Sequence, residues 1–294
     1  MASGVASPLK KPLVIAQAVM IQHTLFSLPF AVSALLLESG GHPPLEKLLW
    51  IFLAIFGARN GANALNRLVD HTIDAQNPRT RNRDLPSGRL RRVDLWIFSA
   101  LCSGLLIVSA FMLNPLCAWL LPVALAMILA YSYTKRFTWL CHYFLGITVA
   151  IAPMGTLLAI AGRFELRYFI LTAAVALWVA GFDIIYACQD IDFDRSQHLH
   201  SIPARFGMKT ALRIAALGHL CSWLLLVVWG TAYTAGLWYY AGCAVVVVLL
   251  IVENALVAPG HLKHVTVAAY HINEIVGVLF LLFTVLEVYI PWEN

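Results

Sequence analysis

Arg59-Asn-Gly-Ala-Asn-Ala-Leu-Asn66-Arg-Leu-Val-Asp70-His-Thr-Ile-Asp74 is the stretch on which the reading of this chain turns. Taken as a helix, Arg59, Asn63, Asn66, Asp70 and Asp74 follow one another every three or four residues and so share one face. Residues 48–56, just before it, are apolar enough to lie in a bilayer. A face of Arg, Asn and Asp entering a membrane helix is costly and marks a functional site by default. The pattern has a second copy. Asp183, Tyr186, Asp190 and Asp194 close another apolar segment, and Asp70 and Asp190 lie 120 residues apart, as do Asp74 and Asp194. Two Asp-x-x-x-Asp faces, one per half, call for something cationic between them.

Composition agrees with a membrane setting. Of 294 residues 61% are hydrophobic and 12% charged, against roughly 25% charged in a soluble domain. All eight Asp fall within 70–94 and 183–194, whereas a solvated surface would spread them. The net charge of +5 sits mostly in loop Arg and Lys, which fits membrane orientation and not nucleic acid. Six Cys without a Cys-x-x-Cys pair read as small buried hydrophobes, neither a disulfide framework nor a zinc site. No removable signal peptide is read at the N-terminus.

A span needs about 20 mostly apolar residues. Nine are predicted, at approximately 13–37, 46–69, 93–113, 115–134, 138–161, 168–188, 210–232, 234–256 and 272–291. With Lys10 and Lys11 in the cytoplasm, fourteen Lys and Arg fall in cytoplasmic segments, and only Lys47, Arg163 and Arg167 on the far side. Both Asp faces are then at cytoplasmic ends, and Pro291-Trp-Glu-Asn294 ends outside. The expected architecture is an all-α integral membrane protein: nine transmembrane helices arranged as two related parallel halves around a central cavity. Residues 1–294 form a single polytopic domain in the cell inner (cytoplasmic) membrane.

Carboxylates at i and i+4 sit about 6 Å apart along a helix axis. Two facing pairs make an anionic, oxygen-rich cage. Mg²⁺ prefers oxygen and is commonly held by one or two carboxylates plus substrate phosphates, so the cage with Arg and Lys around it points to Mg²⁺-bound diphosphate. Interhelical ion pairing for packing is the bland alternative. Arg79, Arg81 and Arg83 directly follow the first carboxylate face and suit phosphate oxygens, whereas Arg89, Arg91 and Arg92 read as positive-inside anchors. Lys135 and Arg136 fit either role. Arg59, deep in the membrane, either pairs with Asp70 or awaits an anionic substrate.

Asn66-x-x-x-Asp70-x-x-x-Asp74, followed by Asn77-Pro-Arg79-Thr80-x-x-Arg83 and Pro86-Ser-Gly88, resembles the first signature of the UbiA superfamily of intramembrane prenyltransferases. Asp183-x-x-Tyr186-Ala187-x-x-Asp190-x-x-x-Asp194 resembles its second, and Tyr131-Ser-Tyr133-Thr-Lys135-Arg136-Phe-Thr its loop after the fourth helix. The similarity covers nearly the whole chain. Arg67 departs from it, standing where many members have Asp. The resemblance implies that Asp70, Asp74, Asp190 and Asp194 bind Mg²⁺ and the diphosphate of a polyprenyl donor, with Asn66 in support. It further implies that Arg79, Lys135 and Arg136 steady the diphosphate, that Asp183 and Tyr186 belong to the substrate site, and that Arg59 meets an aromatic acceptor's carboxylate.

Within that family, His23-Thr-Leu-Phe-Ser-Leu-Pro29-Phe and His200-Ser-Ile-Pro203-Ala-Arg205-Phe-Gly207 resemble a 4-hydroxybenzoate polyprenyltransferase-like subgroup. The reaction this implies joins a polyprenyl group to an aromatic acid, 4-hydroxybenzoate in first place, in ubiquinone biosynthesis. A naphthoate-type precursor in menaquinone biosynthesis is the alternative. The expected partners are the two substrates and the lipid bilayer, with no nucleic acid and no obligate protein partner. A CDP-alcohol phosphotransferase lacks its leading Asp-Gly here and has the wrong interval before Asp70. A cation-coupled transporter would carry its polar groups near the bilayer midplane, not at cytoplasmic ends.

Overall fold

A computed structural model describes residues 7, 9–259 and 262–290. Pro291-Trp-Glu-Asn294, which the loop charges place on the far side, lies outside them. Among the described residues nine helices are long and apolar enough to cross a membrane. In order, spans 1 to 9 are Ile21–Glu38, Leu45–Val69, Arg92–Leu113, Pro115–Thr134, Cys141–Ala161, Leu166–Ser196, Met208–Thr231, Leu237–Leu256 and Val267–Tyr289. From span 2 to span 9 each packs beside its successor, and span 1 sits against spans 5 and 9. The outward surface carries Leu101, Phe111, Trp119 and Ile251, side chains suited to lipid contact.

Glycine brings two pairs of neighbouring spans close together. A Cβ on Gly57 would lie 2.6 Å from the Cys102 carbonyl oxygen, and one on Gly146 would lie 2.1 Å from that of Ala176. Spans 2 and 3, and spans 5 and 6, therefore meet backbone to backbone, as small residues allow in membranes. At the end opposite the aspartates, polar side chains close the bundle. Asn114 caps span 4 through Cys117 N and also donates to the Leu158 and Ala159 carbonyls at the end of span 5. Glu38 accepts from the Tyr168 and Tyr233 hydroxyls at 2.6 and 2.5 Å and from Arg167 at 3.3 Å.

Three spans correct the sequence reading. The first does not run unbroken from residue 13. Lys11–Ala18 is a separate helix, the chain turns at Met20 with φ 51°, and Ile21–Phe26 is a 3-10 turn leading into Leu28–Glu38. The reason lies in span 2. Asn63 Nδ2 donates to the Val19 carbonyl at 2.8 Å and Arg67 Nε to that of Ala18 at 3.1 Å, taking over backbone acceptors at the break. Asn63 thus holds the N-terminal segment, not a ligand. Span 6 continues past 188 through a 3-10 turn to Ser196. Span 9 starts earlier, as a π-helix over Val267–Ile272. There Asn273 Nδ2 reaches the carbonyls of Ala268 and Ala269 at 3.1 and 3.3 Å and Glu253 Oε1 at 2.9 Å, while Asn273 Oδ1 accepts from Trp178 Nε1 at 2.6 Å. This buried side chain stabilises a wide turn that propensity alone does not encode.

Candidate active site

The aspartate pairs do not lie on continuous helices. Span 2 ends at Val69, Asp70 has φ −90° and ψ 4°, and a short helix, His71–Gln76, carries Asp74. In span 6 the α-helix ends at Ala187, Asp190 has φ −106° and ψ 8°, and Ile191–Ser196 carries Asp194. The first aspartate of each pair therefore sits in the sparsely populated bridge region, where turn and active-site residues collect. A straight helix, and with it one flat face from Arg59 to Asp74, is the part of the sequence reading that fails. Each break turns the second carboxylate relative to the span below it.

Asp70 is buried and accepts from Lys135 Nζ at 2.5 Å, Arg136 at 3.0 Å and Asn66 Nδ2 at 3.0 Å. Asp74, also buried, takes Arg83 Nη1 on both oxygens at 2.8 Å, with Arg67 at 3.8 Å. Across the site, Asp190 is bound by Asn77 Nδ2 at 3.0 Å and by Arg79 through Nε at 2.9 Å and through Nη2. Arg79 also donates to the Tyr186 hydroxyl at 2.7 Å. Burial alone would lower the pKa of Arg79, yet its hydrogen bonds to Asp190 raise it above the ordinary value. Arg79 and Asn77 come from the loop after span 2, so the first half reaches over to bind the second. The His200 N–H donates to the Lys135 carbonyl at 2.7 Å and fastens the loop after span 4 to the loop after span 6.

Asp194 differs. Its partner is the Ser201 hydroxyl at 2.8 Å, and no cation pairs with it among the described residues. Arg195, next to it in the chain, and Arg205, further along the same segment, turn away. Arg195 donates to the Ala204 carbonyl and Arg205 lies over Trp139 and Phe206. Asp183 accepts from His142 Nδ1 at 2.7 Å. Tyr186 packs on Tyr270 of the π-turn, with centroids 4.7 Å apart, and Tyr270 in turn on His23 at 4.9 Å. His142 and Tyr270 escape a sequence reading, since each lies in an ordinary context and only the packing of spans 5, 6 and 9 brings it to the site, while Ser201 enters that reading only within the run from His200 to Gly207.

Below this polar layer lies an apolar cavity of about 330 Å³ between spans 2, 3, 4 and 5, with Ala54, Leu106, Leu121, Ile128 and Val149 among its walls. Arg59 stands in its wall. Its Nε is buried without a hydrogen-bond partner, and no ion pair joins it to Asp70 or to any other carboxylate among the described residues. Of the two readings open for Arg59, pairing with Asp70 is thus excluded.

The donor set fits Mg²⁺. The two Asp-x-x-x-Asp pairs are hard oxygen ligands, and among the described residues no three His, Cys, Asp or Glu converge on one point. The cage expected from two facing aspartate pairs is thus not formed by protein groups alone among the described residues.

A family model described as the UbiA prenyltransferase family matches residues 27–283. A UbiA homolog from Aeropyrum pernix K1 of known apo structure is 34% identical, with a TM-score of 0.83 over 90% of this chain and 98% of that one. A 4-hydroxybenzoate octaprenyltransferase from Pseudomonas fluorescens is 29% identical over 72% of this chain and 71% of its own length. A UbiA homolog from Archaeoglobus fulgidus, solved with GPP and Mg²⁺, shares the fold at 17% identity and a TM-score of 0.66, over 94% of this chain and 99% of that one.

Proposed function

This chain belongs to the UbiA prenyltransferase family, and we propose that it transfers a polyprenyl group from its diphosphate to an aromatic acid, 4-hydroxybenzoate in first place. The observation that carries this reading is Arg59, a buried guanidinium without a carboxylate, in the wall of an apolar cavity beneath a ring of aspartates and cations. A naphthoate-type acid fits the same arrangement and is the second reading. The phosphotransferase and transporter readings give way to the family match.

Asp70, Asp74, Asp190 and Asp194 would hold Mg²⁺, which when bound neutralises the donor's diphosphate. Lys135, Arg136, Arg83 and Arg79 balance three of these carboxylates. The same cations would also be available to phosphate oxygens of the donor. They then stabilise the charge that builds on the leaving group as the allylic C–O bond breaks. The prenyl chain lies in the apolar cavity, whose walls keep water from the cation. Arg59 holds the acceptor's carboxylate and points its ring toward the reacting carbon. Tyr186 and Tyr270, packed on one another, stand beside Arg79 on the span 6 and span 9 side. The matched breaks at Asp70 and Asp190 support a relation between two parallel halves.

Purified protein in detergent, given polyprenyl diphosphate, 4-hydroxybenzoate and Mg²⁺, should form the prenylated acid and stop when the metal is chelated. Full activity in excess chelator would remove the metal from the reading. Efficient use of a phenol lacking the carboxylate would remove the acid. The site is proposed to face the cytoplasm of the inner membrane. Reporters fused at Arg89 and Arg205 should both register the cytoplasm and one at Arg163 the far side; opposite locations for the first two would sink that orientation.

A further inference from the structure

Asp183 is left over once the diphosphate and the acceptor's carboxylate have been assigned their partners. Its position along the membrane normal is informative. Arg59 lies 11 residues before Asp70, about 16 Å down its helix, and Asp183 lies seven residues before Asp190, about 10 Å down the facing one. Asp183 therefore stands between the depth of the acceptor's carboxylate and the depth of the diphosphate, where the reacting edge of the ring must be. It is within electrostatic reach of both Arg59 and Tyr270. Its side chain is 28% exposed, so it is not sealed in packing.

The carboxylate is also held in one orientation. The Ile202 N–H donates to His142 Nε2 at 3.4 Å, which leaves the ring proton on Nδ1 to donate to Asp183 Oδ2 at 2.7 Å. His142 is 3% exposed and cannot turn away without losing both bonds. Asp183 Oδ1 accepts no hydrogen bond among the described residues. No lysine or arginine pairs with Asp183, in contrast to Asp70, Asp74 and Asp190. An ordered carboxylate with one free oxygen at the level of the reacting ring is the arrangement a general base requires.

We propose that Asp183 is a catalytic residue: the base that removes the ring proton from the acceptor, oriented by His142. This rests on the reading of the chain as an aromatic prenyltransferase. The allylic C–O bond breaks and its electron pair leaves with the diphosphate. The ring carbon beside the hydroxyl gives its π electrons to the allylic cation, forming the C–C bond and a positively charged ring. Asp183 Oδ1 then accepts the proton from that carbon, and the C–H pair restores aromaticity. The proton stays on the Asp183 carboxyl until product release exposes it to water. His142 keeps its own proton throughout and acts as a positioning residue. The rival base is the departing diphosphate.

Two isotopic measurements on the Mg²⁺-loaded protein separate these accounts. One follows migration of ¹⁸O from the bridging to the non-bridging position of the diphosphate, which reports C–O cleavage and return. The other compares turnover of acceptor carrying hydrogen or deuterium at the reacting ring carbon. In Asp183→Asn, product formation should fall by about 10²–10⁴-fold, ¹⁸O migration should persist, and a primary deuterium effect larger than that of the wild type should emerge. His142→Gln should show a smaller loss of the same kind, with acceptor KM unchanged. If Asp183→Asn is poorly folded, that histidine variant decides. Near wild-type turnover without a deuterium effect in the folded variant would assign the proton to the diphosphate and overturn the proposal. Loss of ¹⁸O migration together with product would also overturn it, since Asp183 would then act in ionisation. Wild-type protein that prenylates no aromatic acid at all would instead overturn the underlying reading.

Discussion

The two aspartate clusters share a sequence pattern and a backbone break, yet they are electrostatically unlike. In the first, both carboxylates are buried and each is bound by cations: Asp70 by Lys135 and Arg136, Asp74 by Arg83 with Arg67 behind it. In the second, Asp190 is held by Arg79, which the first half supplies, and Asp194 by a serine hydroxyl alone. Arg59 is the mirror case, a cation of the first half that lacks a carboxylate. A binuclear-looking motif is thus divided into a locked side and an open side. On the proposed reading a divalent ion would meet least competition at Asp194, where no guanidinium or ammonium is bound among the described residues.

The largest effect expected from this asymmetry is at Asp194. Asp194→Asn keeps an oxygen for Ser201 and strands no cation, so the melting temperature should hardly move. Turnover should fall by about 10²–10³-fold, the range seen when one group stabilising a developing anion is removed, and the Mg²⁺ concentration for half-maximal rate should rise. Asp74→Asn should behave oppositely. It leaves Arg83, and Arg67 behind it, facing a neutral amide, and thermal unfolding in detergent should show a loss of about 1.5–3 kcal/mol. If the two variants lose stability equally, the contrast between locked and open sides is wrong.

Arg59→Ala gives the smallest effect and tests the contrast from the cation side. Removing an unpaired buried guanidinium should not destabilise the fold. The acceptor KM should rise by about tenfold, the lower end of a charge-assisted hydrogen bond, while the KM for polyprenyl diphosphate stays the same. An unchanged acceptor KM would leave Arg59 without a role in recognition. Lower stability would reveal a structural partner.

Much of the site is legible in the chain because bilayers are unforgiving. Apolar runs of about 20 residues have few alternatives to spanning helices, so nine spans emerge from hydropathy alone. Asp70, Asp74, Asp190 and Asp194 stand out for the same reason: carboxylates at the ends of membrane helices need a counter-charge, and their 120-residue recurrence marks them as a set. Which cation meets which carboxylate is not legible. Arg79, Arg81 and Arg83 are equivalent in sequence, yet Arg79 crosses to Asp190, Arg83 stays with Asp74, and Arg81 takes neither. The distinction depends on how the loop after span 2 folds over span 6.

The sequence by itself thus determined the membrane setting, the nine spans, the paired aspartates and the family, because each is a local or periodic property of the chain. Tertiary structure decided the rest. Helix packing broke span 1 at Met20 through acceptors claimed by Asn63 and Arg67. It set the π-turn that lays Tyr270 on Tyr186, and it brought His142 to Asp183 across 41 residues. These contacts join residues distant in the chain, and their geometry is fixed only when the helices pack. The same holds for the charge balance, since a carboxylate's partner is whichever cation the fold places within hydrogen-bond reach.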